Sequence, residues 1–304
     1  MAMTGGIQAA ESEMAPIQGG VFWAGSNDHY PEETPARQVE VAPFHIDRRP
    51  VTNRDFARFV AETGHLTLAE QPMDPARYPG VDPRRLKPGA MVFEPPKPGA
   101  AAHWSSWWSY VPGACWLKPE GKGSVYRGRL DHPVVCVAHG DAAAYAAWAD
   151  KDLPTEAEWE LAARGGLDRA TYAWGDERRP EGRLMANTWT GVFPAQNLAE
   201  HGFTRTSPTG SFPANGFGLS DMIGNVWEWT KDYYLTAAAG CCGPTAEASF
   251  DPDLPEVRIA RRVVKGGSHL CHESYCDRYR PAARQPQMEE TATTHIGFRC
   301  VRRG

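Results

Sequence analysis

The chain has 304 residues, 41 % hydrophobic and 23 % charged, with a net charge of -5. That is ample for a globular core, and with both signs mixed along the chain it lacks the basic footprint of a nucleic-acid-binding protein. No run approaches the ~20 apolar residues of a membrane span, and the opening "MAMTGGIQAAESEMAPIQGG" has neither a basic start nor an apolar stretch, so no secretory signal is expected.

Residues 1–14 read as a flexible leader. From "IQGGVFWAGS" onward no linker or repeat interrupts the chain, which makes 15–304 one domain. "RQVEVAPFHIDRRPV" alternates at Val39, Val41 and Phe44 like a strand. "VTNRDFARFVAETG" follows as a helix: Thr52 caps it with Asp55 three residues on, Phe56, Phe59 and Val60 form its apolar face, and Gly64 stops it. "HPVVCV" reads as a buried strand that carries Cys136, and "DAAAYAAWA" as a second helix. "LPTEAEWELAARGG" is a third, with a Thr155–Glu158 capping box and two terminal glycines. Beyond residue 166 helical signals vanish, and long loops alternate with short strands such as "RRVVKGG" and "GFRCVRR". The 30 glycines and 26 prolines are about 18 % of the chain against about 12 % on average. With 11 tryptophans they predict irregular backbone held by aromatic anchors, and loops this long are usually functional.

The seven cysteines are Cys115, Cys136, Cys241, Cys242, Cys271, Cys276 and Cys300. An odd count without a signal peptide argues against a disulfide framework and for a reducing, cytoplasmic location. Cys271 and Cys276 stand five apart in "GGSHLCHESYC". On a strand they would be ~17 Å apart, and on a helix ~140° apart around the axis. They can cooperate only if "CHESYC" folds back as a loop, with "GGS" supplying flexible backbone. The pair then suits Cu(I), as two soft donors without hard ligands, or an exposed, reducible disulfide. Two independent buried cysteines are an equal alternative. His272, Arg278, Arg280 and Arg284 lie close by in sequence, and positive charge favours the thiolate; as ordinary surface arginines they would do nothing of the kind.

"DMIGNVWEW" places Asp221 and Glu228 on either side of a Gly-Asn turn. With the carbonyls of Gly224 and Val226 they form an oxygen set of the kind calcium takes from one loop; a tight turn whose carboxylates bond local N–H groups is the plainer reading. Asn187 with Glu200 is a weaker oxygen cluster. No GxGxxG, P-loop, GxSxG or HExxH occurs, so hydride transfer, phosphoryl transfer and triad hydrolysis have no support.

"RPVTNRDFARFV", "HPVVCVAHGDAAAYAAWA", "LPTEAEWELAARGG", "YAWGD", "ANTWTGVFP", "FPANGFGLSDMIGNVWEWT", "VVKGGSHLCHESYCDRYRPAAR" and "HIGFRCV" occur in this order. From about residue 15 to 303 the chain resembles the formylglycine-generating enzymes of the sulfatase-modifying factor family, in their bacterial form. "LPTEAEWE" and "GNVWEW" mark the wider superfamily; the cysteine pair is the specific part. The resemblance implies a single-domain α+β chain with the C-type-lectin-like fold of the sulfatase-modifying factor type, low in regular secondary structure. It implies a copper-dependent oxidase that uses O2 and an external reductant, turning the cysteine of a Cys-x-Pro-x-Arg motif in an unfolded sulfatase into Cα-formylglycine. Cu(I) would sit between Cys271 and Cys276, with Trp227, Ser268 and Tyr275 in the catalytic pocket and His272, His295 and Arg278 facing substrate. Ca2+ would be held by Asp221, Gly224, Val226 and Glu228, and a second Ca2+ by Asn187, Thr188, Glu200 and Phe203.

The chain departs from the family at several positions. His295 stands where animal members have Asn, and His201 stands where the second calcium site has Asp. Ala146, Ala163 and Pro281 replace three of four disulfide cysteines of the animal enzymes and strand the fourth, Cys300. An iron-dependent sulfoxide synthase of the same superfamily would need a further helical domain, and a non-catalytic paralogue should lack the cysteine pair. A monomer, with no nucleic-acid or membrane partner, is expected.

Overall fold

The computed structural model describes residues 13–78, 80–96, 103, 106–235 and 245–304. Its strands are β1 (Met14–Ile17), β2 (Gly20–Ala24), β3 (Arg37–Val41), β4 (Phe44–Asp47), β5 (Gly89–Phe93), β6 (Trp108–Pro112), β7 (Gly191–Val192), β8 (Gln196–Asn197), β9 (Trp227–Tyr233), β10 (Arg261–Lys265), β11 (Arg284–Met288), β12 (Ile296–Gly297) and β13 (Val301–Arg303). The helices are α1 (Asn53–Thr63), α2 (His139–Trp148) and α3 (Glu156–Arg164). The result is one domain of mixed α and β structure in which loops predominate.

Local chemistry sets the helix ends. Thr52 and Asp55 exchange hydrogen bonds at the start of α1, as Thr155 and Glu158 do at the start of α3, each pair satisfying two otherwise unpaired N–H groups. Gly64 and Gly165 end these helices in the left-handed conformation. The apolar face of α1 buries Phe56 and Phe59 against Trp116, Tyr145 and Phe298. The strand expected across residues 37–51 is divided at Ala42-Pro43. β3 pairs with β2, whereas β4 lies between β1 and β13 in another sheet. "HPVVCV" is not a strand either. Val134 and Cys136 donate N–H bonds singly to Val51 and Thr293, and Cys136 has φ 59°, outside any ladder.

A four-stranded sheet in the order β11-β10-β9-β12 carries the site. β10 runs antiparallel to β9 with a register shift between Arg262 and Val264, and β12 pairs in parallel with the start of β9, Ile296 opposite Trp227. α3 packs on β9 and β10 and buries Trp159 beneath them. The core contains ion pairs as well as apolar side chains. Arg280 and Glu33 form a two-bond pair at 2.6 and 2.8 Å, their side chains 1 % and 0 % exposed, which fastens an N-terminal loop to the segment after Cys276.

Removing one partner of such a pair leaves the other charge buried. Glu33→Ala is therefore expected to lower stability by about 3–5 kcal/mol, measured by urea unfolding. A loss below ~1 kcal/mol would show that the loop reorganises and hydrates Arg280.

Candidate active site

Cys271 and Cys276 lie on a loop that turns back on itself between β10 and β11. The N–H of Cys271 donates to the Ser268 carbonyl (2.9 Å), and the N–H groups of Tyr275 and Cys276 donate to the His272 carbonyl (2.9 and 2.7 Å). These turns bring the two sulfurs to 3.0 Å, both buried and reduced. The glycines before the loop supply close approach, not the flexibility read from sequence. Gly266 and Gly267 have φ 93° and 71°, and a Cβ on them would stand 2.7 Å from the Met222 carbonyl oxygen and 2.9 Å from the Tyr279 Cα.

The sulfurs share a proton unequally. The hydrogen bond from Cys271, helped by the Arg278 backbone N–H and guanidinium, pulls the Cys276 thiol down to about 7 despite its burial. Burial, then the neighbouring sulfur, pushes Cys271 well up. The Ser268 N–H also points at the Cys271 Sγ, at 3.4 Å. Of the three arginines that follow, Arg278 alone reaches the thiols. Arg280 is committed to Glu33, and Arg284 to Glu156 at 2.7 and 2.9 Å. Arg278 is itself balanced by Glu32 at 2.7 Å and lies 3.7 Å from the centre of the Tyr30 ring.

The pair opens into a cavity of about 400 Å3. Trp227, Ser268, Tyr275, Arg278 and His295, which the family resemblance named, all line it, and with them Phe93, Trp108, Phe193, Leu270 and Gln285, which the sequence reading passed over. The Trp227 N–H donates to the His295 carbonyl at 2.9 Å, joining two walls. Tyr275, 51 % exposed, stacks on Phe193 at 4.6 Å and forms the rim. His295 packs on Trp108 at 4.8 Å and is held neutral: enclosure, then His269, pushes it down to about 3. His272 does not join them. It bonds Ser274 at 2.8 Å and faces a neighbouring hollow with Arg178 and Arg179, whose charges, after burial, depress its pKa.

The Sulfatase-modifying factor enzyme 1-like domain matches residues 4–304. The chain is 54 % identical over 298 residues to a formylglycine-generating enzyme of Mycobacterium tuberculosis, covering 95 % of this chain and 97 % of that protein. The chain belongs to the sulfatase-modifying factor family, that of the formylglycine-generating enzymes. A formylglycine-generating enzyme of Thermomonospora curvata is 47 % identical over 95 % of this chain and 92 % of its own length. Among solved structures, PvdO from Pseudomonas aeruginosa matches with a TM-score of 0.62 over 96 % of this chain and 94 % of its own; at 24 % identity it shares the fold alone.

The residues expected to hold calcium in this family fare unequally. Asp221 is buried with φ 54°; its carboxylate accepts the Gly210 N–H (2.6 Å) and the Asn225 amide (3.4 Å), and burial pushes it up to about 6. Glu228 is largely committed. Arg299 takes both its oxygens at 2.7 and 2.8 Å, and the Trp159 indole N–H takes one at 2.7 Å. Three donors leave one of its four lone-pair positions. At the second set, Asn187 is buried and the Thr188 carbonyl accepts the imidazole of His201 at 2.8 Å. Glu200 stays outside, 41 % exposed and paired with Arg179 at 3.0 Å. Among the described residues, no group of three His, Cys, Asp or Glu side chains converges as a metal cluster.

The shared proton has a measurable consequence. In reduced, metal-free protein, alkylation of Cys276 should rise through a midpoint at about pH 7, since the thiolate is the nucleophile and its pKa is depressed. Cys271→Ala removes the donor, so the midpoint should move up toward ~8.5, the value of a free thiol. Mass spectrometry of the alkylated 271–276 peptide reads this directly; the same midpoint in both proteins refutes the shared proton.

Proposed function

We propose that this protein is a formylglycine-generating oxidase acting on the cysteine of a Cys-x-Pro-x-Arg motif in unfolded sulfatase chains. The observation that carries the reading is the Cys271–Cys276 pair, two sulfurs 3.0 Å apart at the base of an aromatic cavity of about 400 Å3. The family membership supplies the substrate class, and the cavity supplies a place where one extended segment can present a thiol. Main-chain bonds at such a groove give affinity and side-chain pockets give specificity.

The donor set fits copper. Both atoms are soft thiols, and among the described residues no third histidine, cysteine or carboxylate completes a hard or tetrahedral cluster. Cu(I) held by Cys271 and Cys276 would activate O2 for oxidation of the substrate Cβ. Turning the substrate thiol and O2 into the aldehyde, hydrogen sulfide and water needs two further electrons and two protons, so an external reductant is consumed. Cys276, whose pKa is lowered, is the sulfur that gives up its proton first; Arg278 stabilises the resulting charge. Trp227, Trp108 and Phe193 keep water from the sulfurs, Tyr275 closes the rim, and the neutral His295 adds no charge to the cavity. The Ser268 N–H orients the Cys271 sulfur.

Asp221 also fits a cation, because a buried carboxylate bonded only to neutral donors is relieved by one. We propose one structural Ca2+ at Asp221 with the carbonyls of Gly224 and Val226 and the remaining lone pair of Glu228. The odd cysteine count, without a secretory signal, supports a cytoplasmic location, and we propose that the protein acts as a monomer.

The test is incubation of a Cys-x-Pro-x-Arg peptide with reduced enzyme, Cu(I), O2 and a thiol reductant. The expected product is lighter by the difference between a thiol-bearing methylene and an aldehyde. Cys271→Ser and Cys276→Ser should each lose more than ~100-fold in turnover and in Cu(I) affinity, since a hydroxyl is a hard, protonated donor. Full oxidation with copper rigorously removed, or unchanged affinity in both variants, would falsify this reading. Cys115→Ala, Cys136→Ala and Cys300→Ala should keep most turnover, because all three thiols are buried apart from the cavity; Cys241 and Cys242 lie outside the described residues.

A further inference from the structure

The second calcium position implied by the family does not fit this chain, and the reason is one side chain. Where a carboxylate is expected, His201 lies across the site. Its Nε2 is 2.8 Å from the Thr188 carbonyl oxygen, which fixes that nitrogen as the N–H donor. Its Nδ1 then accepts the Phe203 backbone N–H at 3.2 Å. The ring packs between Phe203, 5.9 Å between centroids, and Phe212, edge-on at 5.8 Å. The imidazole thus bonds two of the residues a cation would have drawn together, one through its donor nitrogen and one through its acceptor.

What surrounds it is the remainder of an oxygen site. Asn187 is 1 % exposed, and its amide N–H donates to the Arg205 carbonyl at 2.9 Å. Its Oδ1 is buried without a partner, although leaving a buried carbonyl oxygen unpaired is costly. Glu200, the nearest carboxylate in sequence, is turned out to Arg179.

We infer that His201 replaces the second calcium ion in this chain: the loop from Thr188 to Phe203 is braced by a neutral imidazole, and the site has lost its ion while keeping most of its oxygens. A hard dication prefers anionic and carbonyl oxygen. Here the Thr188 carbonyl faces an N–H instead, and among the described residues no cluster of carboxylates converges there to balance the charge. The inference rests on family membership and on these contacts, not on the oxidase reading.

The experiment counts calcium and transition metals per chain by equilibrium dialysis and elemental analysis, in wild type, His201→Asp, His201→Ala and Asn187→Ala, alongside melting curves in calcium and in chelator. His201→Asp restores a carboxylate beside the waiting Asn187 Oδ1. It should bind one more Ca2+ per chain than wild type and gain a calcium-dependent rise in Tm of at least ~2 °C beyond any shown by wild type. Asn187→Ala should bind as many ions as wild type. The gain of one ion is a difference between variant and wild type, so it stands whether or not Asp221 holds calcium and whether or not the peptide is oxidised. The inference is overturned if His201→Asp binds no extra ion, or if Asn187→Ala binds one fewer than wild type. It is equally overturned if wild type holds a transition metal that His201→Ala releases. Should His201→Asp fail to fold, the comparison of wild type with Asn187→Ala still decides the matter.

Discussion

The start of β9 is fixed by one buried interaction, the pairing of Glu228 with Arg299. Both side chains are shielded from solvent, 1 % and 0 % exposed. The guanidinium uses Nε and Nη2 on the carboxylate and still reaches the carbonyls of Asp47 at 3.2 Å and Ser220 at 2.9 Å. The Trp159 indole completes the set from α3. One carboxylate therefore joins β9, β4, α3, the loop before Asp221 and the C-terminal segment. Desolvating such a pair is expensive, and an apolar replacement of the same shape often matches it in stability. Its value here lies in register. Neighbouring residues of a strand face opposite sides, so Glu228 held inward forces Trp227 outward into the cavity. A slip of one residue would exchange them.

The thiol loop has little regular structure of its own, and its rigidity is borrowed. The Asp277 N–H donates to the Tyr30 hydroxyl at 3.0 Å across 247 positions of sequence. Glu32 and Glu33 from the same N-terminal turn take Arg278 and Arg280. These contacts do more than pin backbone. Arg278 helps to depress the Cys276 pKa, and Glu32 limits how far its charge can act. The reactivity of a sulfur late in the chain is thus set in part by a carboxylate near its beginning.

The helices were legible because their determinants are local: the Thr52–Asp55 and Thr155–Glu158 boxes lie within four residues and form as expected. Geometry showed only that the cysteines could meet in a loop and not in a strand or helix, and left two independent buried cysteines as an equal reading; the family resemblance decided for the pair. Failures came where distant partners decide. The Gly-Asn turn gives no sign that Glu228 also pairs with an arginine 71 positions on. Arg280 and Arg284 look like thiolate stabilisers until Glu33 and Glu156 are found against them. "HPVVCV" has the composition of a buried strand, but its N–H groups find single partners in two different segments, and Cys136 bends away. The aromatic wall was missed for the same reason. Phe93 and Trp108 face each other across the β5–β6 pair and Phe193 comes from the turn between β7 and β8, and nothing local marks them as neighbours of a thiol.

That wall explains why the charge balance of the cavity is simple. His295 is neutral, and the rings of Trp108, Phe193, Trp227 and Tyr275 carry no formal charge. Arg278 is offset by Glu32. The one charge free to change is therefore the proton shared by Cys271 and Cys276. Both sulfurs are buried, where Coulomb interactions are stronger than in solution, so a second thiolate beside Cys276 is strongly disfavoured as long as nothing cationic stands between the sulfurs. Burial that raises Cys271 and the hydrogen bond that lowers Cys276 are two faces of this constraint. It favours one anion and one thiol in the absence of a cation, and two anions only when a soft cation joins them.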